Sequence, residues 1–294
     1  MTRQRWAEQL DARAREHWTD ERLAQLLGDK RPVISPREGV VLLRALGLAR
    51  DDASLPPAQV RKYFQINHMV ALLGPALREL RARHASIRLL DAGCGRSYLT
   101  LLLAWCARHV WKHPLEVIGI DRDADVIAEA KRRAELAELA DVVRFEVGDV
   151  AACSPADVHG VVALHACDTA TCDALALGIA RGADLLAVAP CCQAELARGW
   201  AELAERGATG AFARVWQTPH LRRETAADVT DAMRVELLRA AGYDVSAMEL
   251  VPHEHTRKNT LIVATRRGAR DPEARAAYEA LRDATGGVDI RLAR

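Results

Sequence analysis

The sequence predicts an α/β fold in which helices cover both faces of a doubly wound, mostly parallel sheet of seven strands. From Ile87 onward, short apolar segments alternate with helical segments, which is the pattern of a parallel sheet buried on both faces. Half of the 294 residues are hydrophobic, but only 4% are aromatic. This composition suits helices packed on a buried sheet better than an all-β sandwich.

The first 54 residues are predicted to form a helical accessory segment. Gly28, Pro32 and Pro36 divide it into short stretches, and two apolar stripes have the spacing of amphipathic helices. These stripes consist of Leu23, Leu26 and Leu27, and of Val40, Leu43 and Leu46. A loop over residues 51–57 then leads into a long helix predicted at 58–83, for which a pair of prolines is well placed as the start.

The main domain is predicted over residues 55–268, and residues 269–294 are predicted to form a C-terminal helix and tail. Strands are expected at 87–92, 117–121, 143–147, 161–165 and 184–189, followed by a terminal antiparallel hairpin at 245–251 and 260–265. Helices are expected at 98–108, at 124–137, at 229–241 before Gly242, and from Pro272 to a loose end. Asp231 and Arg234 are most simply an i, i+3 ion pair on the third of these helices.

The charge is nearly balanced overall but uneven along the chain. The formal net charge is +1, yet residues 1–88 hold 16 Lys and Arg against 10 Asp and Glu. A basic front end could contact a phosphate backbone. Because acidic residues are interleaved throughout, a solvated helix face is the preferred interpretation, and the asymmetry is no more than a hint of nucleic acid.

The sequence predicts a cytoplasmic protein without membrane association. No apolar run follows the first residues, as a secretion signal would require, and no stretch approaches the roughly 20 apolar residues that span a bilayer. Seven cysteines, an odd number, fit the reduced thiols of a cytosolic protein better than a secreted disulfide framework. No DNA-specific motif is present, and the oligomeric state does not follow from the sequence.

The first predicted strand ends at Asp91 and continues through a turn containing Gly93 and Gly95 directly into a helix. In open α/β sheets ligands bind beyond the carboxyl ends of strands, and glycines there let the backbone pass close to a ligand. A dinucleotide-binding turn would need another glycine where Tyr98 stands, so that a pyrophosphate could reach the helix N-terminus. The turn therefore favours an adenosine cofactor without a pyrophosphate over NAD or FAD.

Acidic residues also follow the next two strands. Asp121 ends the second strand, and Asp149 comes directly after the third. A carboxylate at Asp121 can accept hydrogen bonds from both ribose hydroxyls, each contributing about 1.5–3 kcal/mol, and Asp149 lies where an adenine amino group would bind. One aspartate at a strand end is often a cap or turn residue, but three in register, with Asp91, indicate a cofactor site.

This order of motifs resembles the class I methyltransferase superfamily, which has a Rossmann-like fold. Further motifs resemble the subgroup that includes eukaryotic tRNA ribose methyltransferases and the methyltransferase part of glutathione S-transferase C-terminal-domain-containing protein. These motifs are KYFQINHM at 62–69, LHACDTAT at 164–171, PCCQ at 190–193, TDAMR at 230–234 and EHTRKN at 254–259. The resemblance covers about residues 58–266 and leaves out the first 50 residues and the last helix.

The resemblance implies S-adenosylmethionine as cofactor and RNA as the best documented acceptor class. The cofactor-binding residues are then Asp91, Gly93, Gly95, Asp121, Asp149, Lys62 and His165. Lys62 would meet the methionine carboxylate or a substrate phosphate, with a solvated helix face as the alternative. Two departures limit the comparison: zinc-finger segments are absent, and the Asn-Pro-Pro-Tyr signature is missing, so methylation of adenine N6 or glutamine is not expected.

His165 and Asp168 are the candidates for a catalytic base. In a doubly wound sheet the ends of strands one, four and five lie near each other, so both residues are expected beside the methyl group, together with Cys167 and Cys191. Transfer to a hydroxyl needs in-line positioning and a base, which either residue could supply. A buried histidine that bonds to the backbone is the alternative for His165.

The cysteines Cys191 and Cys192 allow three interpretations. They could bind zinc with His165, Cys167 and Cys172, but the spacing of structural zinc sites is missing. They could also act as a methyl shuttle, or be small apolar residues that shape a pocket. The last interpretation is preferred, so no metal is predicted.

Three functions stay open at this point. The first is methyl transfer from S-adenosylmethionine to an RNA nucleoside, with a ribose hydroxyl as one candidate. The second is methyl transfer to a small molecule or a protein side chain, which the weak net charge and the lack of aromatic stacking platforms favour. The third is a non-catalytic protein that binds S-adenosylmethionine and acts as a partner.

Overall fold

A computed structural model gives the fold of the chain and describes residues 3–152, 157–164, 166, 168–190, 193–250 and 259–294. The chain divides into two compact units, residues 1–148 and residues 149–294. Within the described residues, no helix is both long enough and apolar enough to cross a membrane.

Three parallel strands form the sheet of the first unit. They are β1 (Ile87–Ala92), β2 (Leu115–Asp121) and β3 (Val143–Val147), with β2 in the middle. The register pairs Ala92 with Ile120 and Asp121 with Val147, so the three strands end at one edge. β1 and β2 are buried along almost their whole length, as expected for strands that are covered on both faces.

Six α-helices are described in the first unit. They are α1 (Arg3–His17), α2 (Asp20–Leu27), α3 (Val40–Ala45), α4 (Pro57–Arg83), α5 (Tyr98–Cys106) and α6 (Ala124–Leu136). The helix predicted at 98–108 is shorter than expected, because the backbone widens after Cys106 into a π-helical turn over Ala107–Trp111. Lys112 ends this turn in the left-handed conformation. Because residues within an α-helix are right-handed, the helix cannot continue through Lys112.

The two apolar stripes of the first 54 residues differ in burial. Val40 and Leu43 are fully buried and Leu46 nearly so, as the spacing predicts for an amphipathic helix. The stripe of Leu23, Leu26 and Leu27 is only half-buried, and α2 contains no buried residue. Only the stripe on α3 and directly after it therefore belongs to the core of the first unit.

The loop before α3 is held by two side chains of α4. Tyr63 donates its hydroxyl to the carbonyl oxygen of Ile34 at 2.9 Å, and the side-chain oxygen of Asn67 accepts from the backbone nitrogen of Ile34 at 2.7 Å. All three residues are buried. Since buried backbone groups need hydrogen-bond partners, these contacts fasten the N-terminal segment to the methyltransferase-like motif at 62–69.

The second unit contains the remaining strands. They are β4 (Gly160–Ala163), β5 (Leu185–Val188), β6 (Tyr243–Glu249) and β7 (Thr260–Arg266). β4 and β5 are parallel, whereas β7 is antiparallel to both β5 and β6, so the predicted terminal hairpin is confirmed. The strand predicted at 161–165 is shorter, because Leu164 already lies in a bend, and His165 is outside the described residues.

Five α-helices are described in the second unit. They are α7 (Thr169–Ala180), α8 (Glu195–Glu205), α9 (Ala213–Gln217), α10 (Pro219–Ala240) and α11 (Pro272–Ala284). α10 begins ten residues before the predicted start, because Pro219 opens it while its first turns lack the apolar periodicity that signals a helix.

The expectation of a loose C-terminal end is wrong. Ile290 is fully buried in a cluster with Trp200 and Tyr278, and the backbone nitrogen of Arg291 donates to Glu195 at 2.9 Å. The tail is therefore packed against α8 and α11. The sequence pattern misses this because a single buried isoleucine has no periodicity.

The seven strands form one mixed sheet, and the predicted α/β fold is confirmed. The first unit contributes strands in the order β3-β2-β1, and the second contributes β4-β5-β7-β6. β1 is linked to β2 through α5, β2 to β3 through α6 and β4 to β5 through α7, and the last two strands pair antiparallel. This is a Rossmann-like arrangement with a helical N-terminal extension.

Candidate functional site

The turn after β1 has the geometry that only glycine tolerates well. Gly93 and Gly95 have φ angles of 72° and 52°, in the left-handed region where glycine pays no steric penalty. The backbone nitrogen atoms of Gly93 and Cys94 both donate to the carbonyl oxygen of Ile120, at 2.8 and 2.9 Å. A Cβ added to Gly95 would meet no atom within 4 Å, so the turn is fastened to β2 and leaves open space beside Gly95.

Asp121 lies at this turn, as the sequence predicts. Its Oδ2 accepts a hydrogen bond from the backbone nitrogen of Gly95 at 2.9 Å, and its Oδ1 accepts one from Asp123 at 3.1 Å. The chain after β3 is adjacent, because Gly148 donates its backbone N–H to the carbonyl oxygen of Asp121 at 2.9 Å. The structure therefore brings Gly93, Gly95 and the Asp121 carboxylate together.

Asp91 occupies a different environment from Asp121. It is buried, and its Oδ2 accepts a hydrogen bond from the Thr100 hydroxyl at 2.5 Å. Burial raises the pKa of Asp91 to about 6, against the opposing effect of Thr100. Asp91 thus joins the end of β1 to the first turns of α5. Sequence reasoning missed Thr100, although its place two residues into α5 is a signal for a contact with the preceding strand.

Lys62 points at the residue where a third glycine would stand in a dinucleotide site. Its Nζ lies 3.9 Å from the ring centroid of Tyr98, and the Arg133 guanidinium lies 5.1 Å from the same ring. Burial opposes ionisation of Tyr98, but Lys62 and Arg133 outweigh it and lower the pKa of the hydroxyl. This hydroxyl donates to the carbonyl oxygen of Leu46 at 3.0 Å. Lys62 is therefore placed beside the glycine turn.

Arg133 is a site neighbour that the sequence did not reveal. It is buried, its Nε donates to Glu129 at 2.8 Å, and its Nη1 donates to the carbonyl oxygen of Arg96 at 3.1 Å. The i, i+4 spacing of Glu129 and Arg133 indicates an ion pair. The contact with Arg96, in the glycine turn, depends on the packing of α6 against that turn, which no local pattern shows.

Asp149 opens the second unit. Its Oδ1 accepts a hydrogen bond from the backbone nitrogen of Ala151 at 3.0 Å, which is the geometry of an aspartate turn. This contact uses one carboxylate oxygen. The assignment of Asp149 to the adenine amino group stays a prediction.

Asp168 is held in place by the start of α8. Its Oδ1 accepts from the backbone nitrogen atoms of Ala194 and Glu195, both at 2.9 Å, and its Oδ2 pairs with Arg198 at 2.8 Å. Burial opposes ionisation, but Arg198 and the two backbone donors outweigh it and lower the pKa of Asp168. The carboxylate is therefore charged at neutral pH, and it joins the loop after β4 to the loop after β5.

A buried hydrogen-bond network extends from the same loops into α10. Arg234 donates to Asp231 at 2.9 Å, to the carbonyl oxygen of Asp168 at 2.9 Å and to the sulfur of Cys172 at 3.4 Å. Gln193 donates to the other oxygen of Asp231 at 2.9 Å. Burial raises the pKa of Asp231, opposed by Arg234 and Gln193. The predicted ion pair of Asp231 and Arg234 is confirmed.

Several predicted site residues are outside the described part of the chain. His165, Cys167, Cys191 and Cys192 belong to this group. Cys172 is described and buried, and it contacts Arg234. Within the described residues, no group of three His, Cys, Asp or Glu side chains is arranged to hold a metal ion.

Comparison with known families identifies the kind of domain in which these residues lie. Residues 61–199 match the profile of a family described as a methyltransferase domain. Over these residues the chain contains an S-adenosylmethionine-dependent methyltransferase domain. Its methyl donor is S-adenosylmethionine, and the match spans β1 to β5 and includes the glycine turn, Asp121, Asp149 and Asp168.

Solved structures of methyltransferases resemble this methyltransferase domain in fold. Magnesium protoporphyrin IX methyltransferase from Synechocystis, with bound S-adenosylhomocysteine, is 14% identical; the match covers 77% of this chain and 93% of that one, with a TM-score of 0.41. A Geobacter sulfurreducens S-adenosylmethionine-dependent methyltransferase is 21% identical over 74% of this chain and 72% of that one, with a TM-score of 0.37.

An RNA methyltransferase from Salinibacter ruber is also similar to this methyltransferase. It is 18% identical, and the match covers 42% of this chain and 72% of that one, with a TM-score of 0.32. No curated protein matches the chain significantly.

Proposed function

We propose that this methyltransferase domain transfers the methyl group of S-adenosylmethionine to an RNA nucleoside, with a ribose hydroxyl as the first acceptor to test. The motifs at 62–69, 164–171, 190–193 and 230–234 resemble those of the tRNA ribose methyltransferase subgroup. The observation that carries the proposal is the buried network described above, because Asp168, Gln193 and the Asp231–Arg234 pair come from three of these motifs.

This network is costly to build. Burying a charge costs several kcal/mol unless all of its polar atoms are satisfied, and apolar residues often hold the same elements together at lower cost. Arg234 Nε and Gln193 Oε1 find no hydrogen-bond partner among the described residues. We therefore infer that the network serves to position the loops after β4 and β5. In open α/β sheets ligands bind at this end of the strands, which supports a role at the acceptor.

S-adenosylmethionine supplies the methyl group as a sulfonium electrophile. The residues assigned to its binding are Asp91, Gly93, Gly95, Asp121, Asp149, Lys62 and His165. Open space beside Gly95 suits the close approach of a ligand to the turn. The Asp121 carboxylate accepts hydrogen bonds, which matches the two hydroxyl donors of a ribose.

His165 is the preferred base and Asp168 the preferred positioning group. Three donors lower the pKa of Asp168, which weakens it as an acceptor for a hydroxyl proton. Histidine is the side chain that most often serves as a general base of this kind. In this assignment His165 accepts the hydroxyl proton, and Asp168 joins the start of α7 to the start of α8 through its bonds to two backbone N–H groups.

Transfer of tritium from labelled S-adenosylmethionine tests the acceptor. Purified protein and labelled donor are added to RNA, protein and metabolite fractions of a lysate from a knockout strain. We expect label in RNA, and after alkaline hydrolysis in dinucleotides, because a 2′-O-methyl group blocks cleavage of the adjacent phosphodiester. Asp121→Ala is the control and should transfer little label.

The other outcomes separate the alternatives. Label in protein or metabolites would mean that the acceptor is a protein side chain or a small molecule and not RNA. The net charge of +1 also suits such an acceptor. Intact binding of S-adenosylmethionine with no label in any fraction would instead indicate a non-catalytic partner protein.

A further inference from the structure

A strip of unpaired positive charge crosses the first half of α4 and the segment before α3. Lys30, Arg31 and Arg61 are exposed, and Lys62 is half-buried. Within the described residues, no carboxylate forms an ion pair with any of the four. The segment before α3 also holds the acidic residues Asp29 and Glu38, and residues 57–71 of α4 contain no acidic residue. The strip therefore carries a net positive charge.

Two aromatic rings lie beside the lysines at the two ends of the strip. Lys30 Nζ lies 4.2 Å from the ring centroid of Phe64, and Lys62 Nζ lies 3.9 Å from that of Tyr98. An α-helix turns about 100° per residue, so Arg61 lies between Lys62 and Phe64 on the exposed side of α4. The strip thus runs from Lys30 across α4 to Tyr98, which follows the glycine turn.

We propose that the exposed cations of the strip, Lys30, Arg31 and Arg61, bind the phosphate backbone of the RNA acceptor and guide it to the glycine turn, while Lys62 at the end of the strip stays assigned to the cofactor. This inference rests on the proposed function. Lysine and arginine side chains without carboxylate partners attract phosphates and release counterions when they bind them.

A lipid surface is a poorer match for the strip than RNA. Membrane-surface binding combines cations with inserted apolar side chains. The large hydrophobic residues that are exposed in the described chain are Val110, Val147 and Leu221, and none of them belongs to the strip. Anionic phosphates without an apolar partner therefore fit this surface best.

Fluorescence anisotropy with a fluorescein-labelled, single-stranded RNA of mixed sequence and about 20 nucleotides tests the proposal. The full-length protein is compared with the triple variant Lys30→Gln, Arg31→Gln, Arg61→Gln over a range of salt concentrations. We expect binding to weaken about 10- to 100-fold near 0.1 M salt, and the slope of log K against log salt to fall by about 2, because single-stranded sites lose about 0.7 per phosphate contact.

Arg78→Gln is the matched control. Arg78 is exposed on the same helix, roughly 25 Å along the axis from Arg61 at 1.5 Å per residue, and should leave RNA binding unchanged. Calorimetry with S-adenosylmethionine should give the same affinity for all proteins, which also shows that they are folded. If the triple variant does not fold, the single variants Arg31→Gln and Arg61→Gln replace it, each with an expected slope change of about 0.7.

Equal RNA binding by the triple variant and wild type would overturn the proposal, as would equal weakening by Arg78→Gln. Competition by poly-L-glutamate as effective as that by unlabelled RNA would overturn the choice of RNA. The tritium experiment separates the two proposals. RNA that binds through the strip but is never methylated would support the strip as a binding surface and exclude RNA as the acceptor. RNA that is methylated although its binding does not depend on the strip would support RNA as the acceptor and exclude the role of the strip.

Discussion

The carboxylate of Asp121 is held in a fixed orientation by the backbone around it. Its two carboxylate oxygens accept hydrogen bonds from the backbone nitrogen atoms of Gly95 and Asp123. A group that is already oriented loses little conformational entropy when a ligand binds. Asp121 also lies next to the open space beside Gly95. These features make it the single residue on which binding of S-adenosylmethionine should depend most.

Replacing Asp121 by alanine should weaken the binding of S-adenosylmethionine about 10- to 100-fold, because each lost charged hydrogen bond contributes about 1.5–3 kcal/mol. Isothermal titration calorimetry measures the change. Asp125→Ala is the control, since Asp125 is exposed on the next helix and should bind normally. Unchanged affinity in Asp121→Ala would remove this residue from the site.

Asp91 gives the first unit a dependence on pH. Burial raises its pKa in the folded protein to about 6, above the value of about 3.9 in an unfolded chain. The folded state therefore prefers the protonated acid. Below pH 4 this preference costs nothing, and as the pH rises toward 6 and beyond, ionisation of the buried carboxyl destabilises the fold.

The variant Asp91→Asn should remove this effect. Its free energy of unfolding relative to wild type should increase by about 3 kcal/mol between pH 4 and pH 7.5, since each pKa unit corresponds to 1.36 kcal/mol. Urea unfolding at both pH values measures the difference. If the difference in unfolding free energy between Asp91→Asn and wild type did not change with pH, the pKa of Asp91 would not be raised by folding.

At the scale of elements, the packing of the turn on β2 and β3 depends on a missing side chain. A Cβ added at Gly119 would lie 2.7 Å from Cδ1 of Phe145 and 3.0 Å from the sulfur of Cys94. Both neighbours are buried. The lack of a side chain at Gly119 therefore lets the glycine turn lie close to the sheet, although Gly119 contacts no predicted ligand.

Gly119→Ala should destabilise the protein by about 1–3 kcal/mol, the usual cost of overpacking a dense core. Gly148→Ala is a matched control, because its added Cβ would meet only Ile120, at 3.9 Å. That change should stay within about 0.5 kcal/mol. Denaturant unfolding of the two variants distinguishes them, and equal stability would contradict the packing described for the turn.

The loops after β4 and β5 are joined by side chains rather than by backbone ladders. Asp168 receives two backbone N–H groups from the start of α8, and Arg234 reaches from α10 to the carbonyl oxygen of Asp168. The sequence pattern indicates the Asp231–Arg234 pair from its spacing. It does not indicate that the pair is buried or that it bonds to Asp168, because these contacts link residues 66 positions apart.

At the scale of the whole molecule, the first 54 residues are part of a compact unit with β1, β2 and β3. Val40, Leu42 and Leu43 are fully buried, and Tyr63 and Asn67 of α4 hold the backbone of Ile34. The accessory segment predicted from the sequence therefore contributes to the core of the unit that holds the glycine turn.

Removal of residues 1–54 should destabilise the first unit and weaken binding of S-adenosylmethionine. Circular dichroism during thermal unfolding, together with calorimetry, measures both effects. Leu43→Ala should act in the same direction and cost about 2–5 kcal/mol, whereas Leu23→Ala should cost less because Leu23 is only half-buried. A truncated chain with normal stability and normal affinity would make the segment an independent accessory part.

Much of the fold and part of the site were predictable from local patterns. The strand bounds of β1 and β3 agree with the prediction, and the turn with Gly93, Gly95 and Asp121 was expected as one group. The start of α10 and the buried tail at Ile290 were not. The start of α10 is marked by a single proline and the buried tail by a single isoleucine, and one residue does not form a periodic pattern.

The order of strands and helices, the glycine turn and the acidic residues at strand ends follow from the sequence by itself, since periodicity and turn chemistry act over a few neighbouring residues. Tertiary structure alone decided that Asp91 is buried against Thr100, that Arg133 reaches Tyr98, and that Arg234 joins the loop at Asp168. Burial and hydrogen-bond partners depend on segments that are distant in the chain, and desolvation is felt only when the fold brings those segments together.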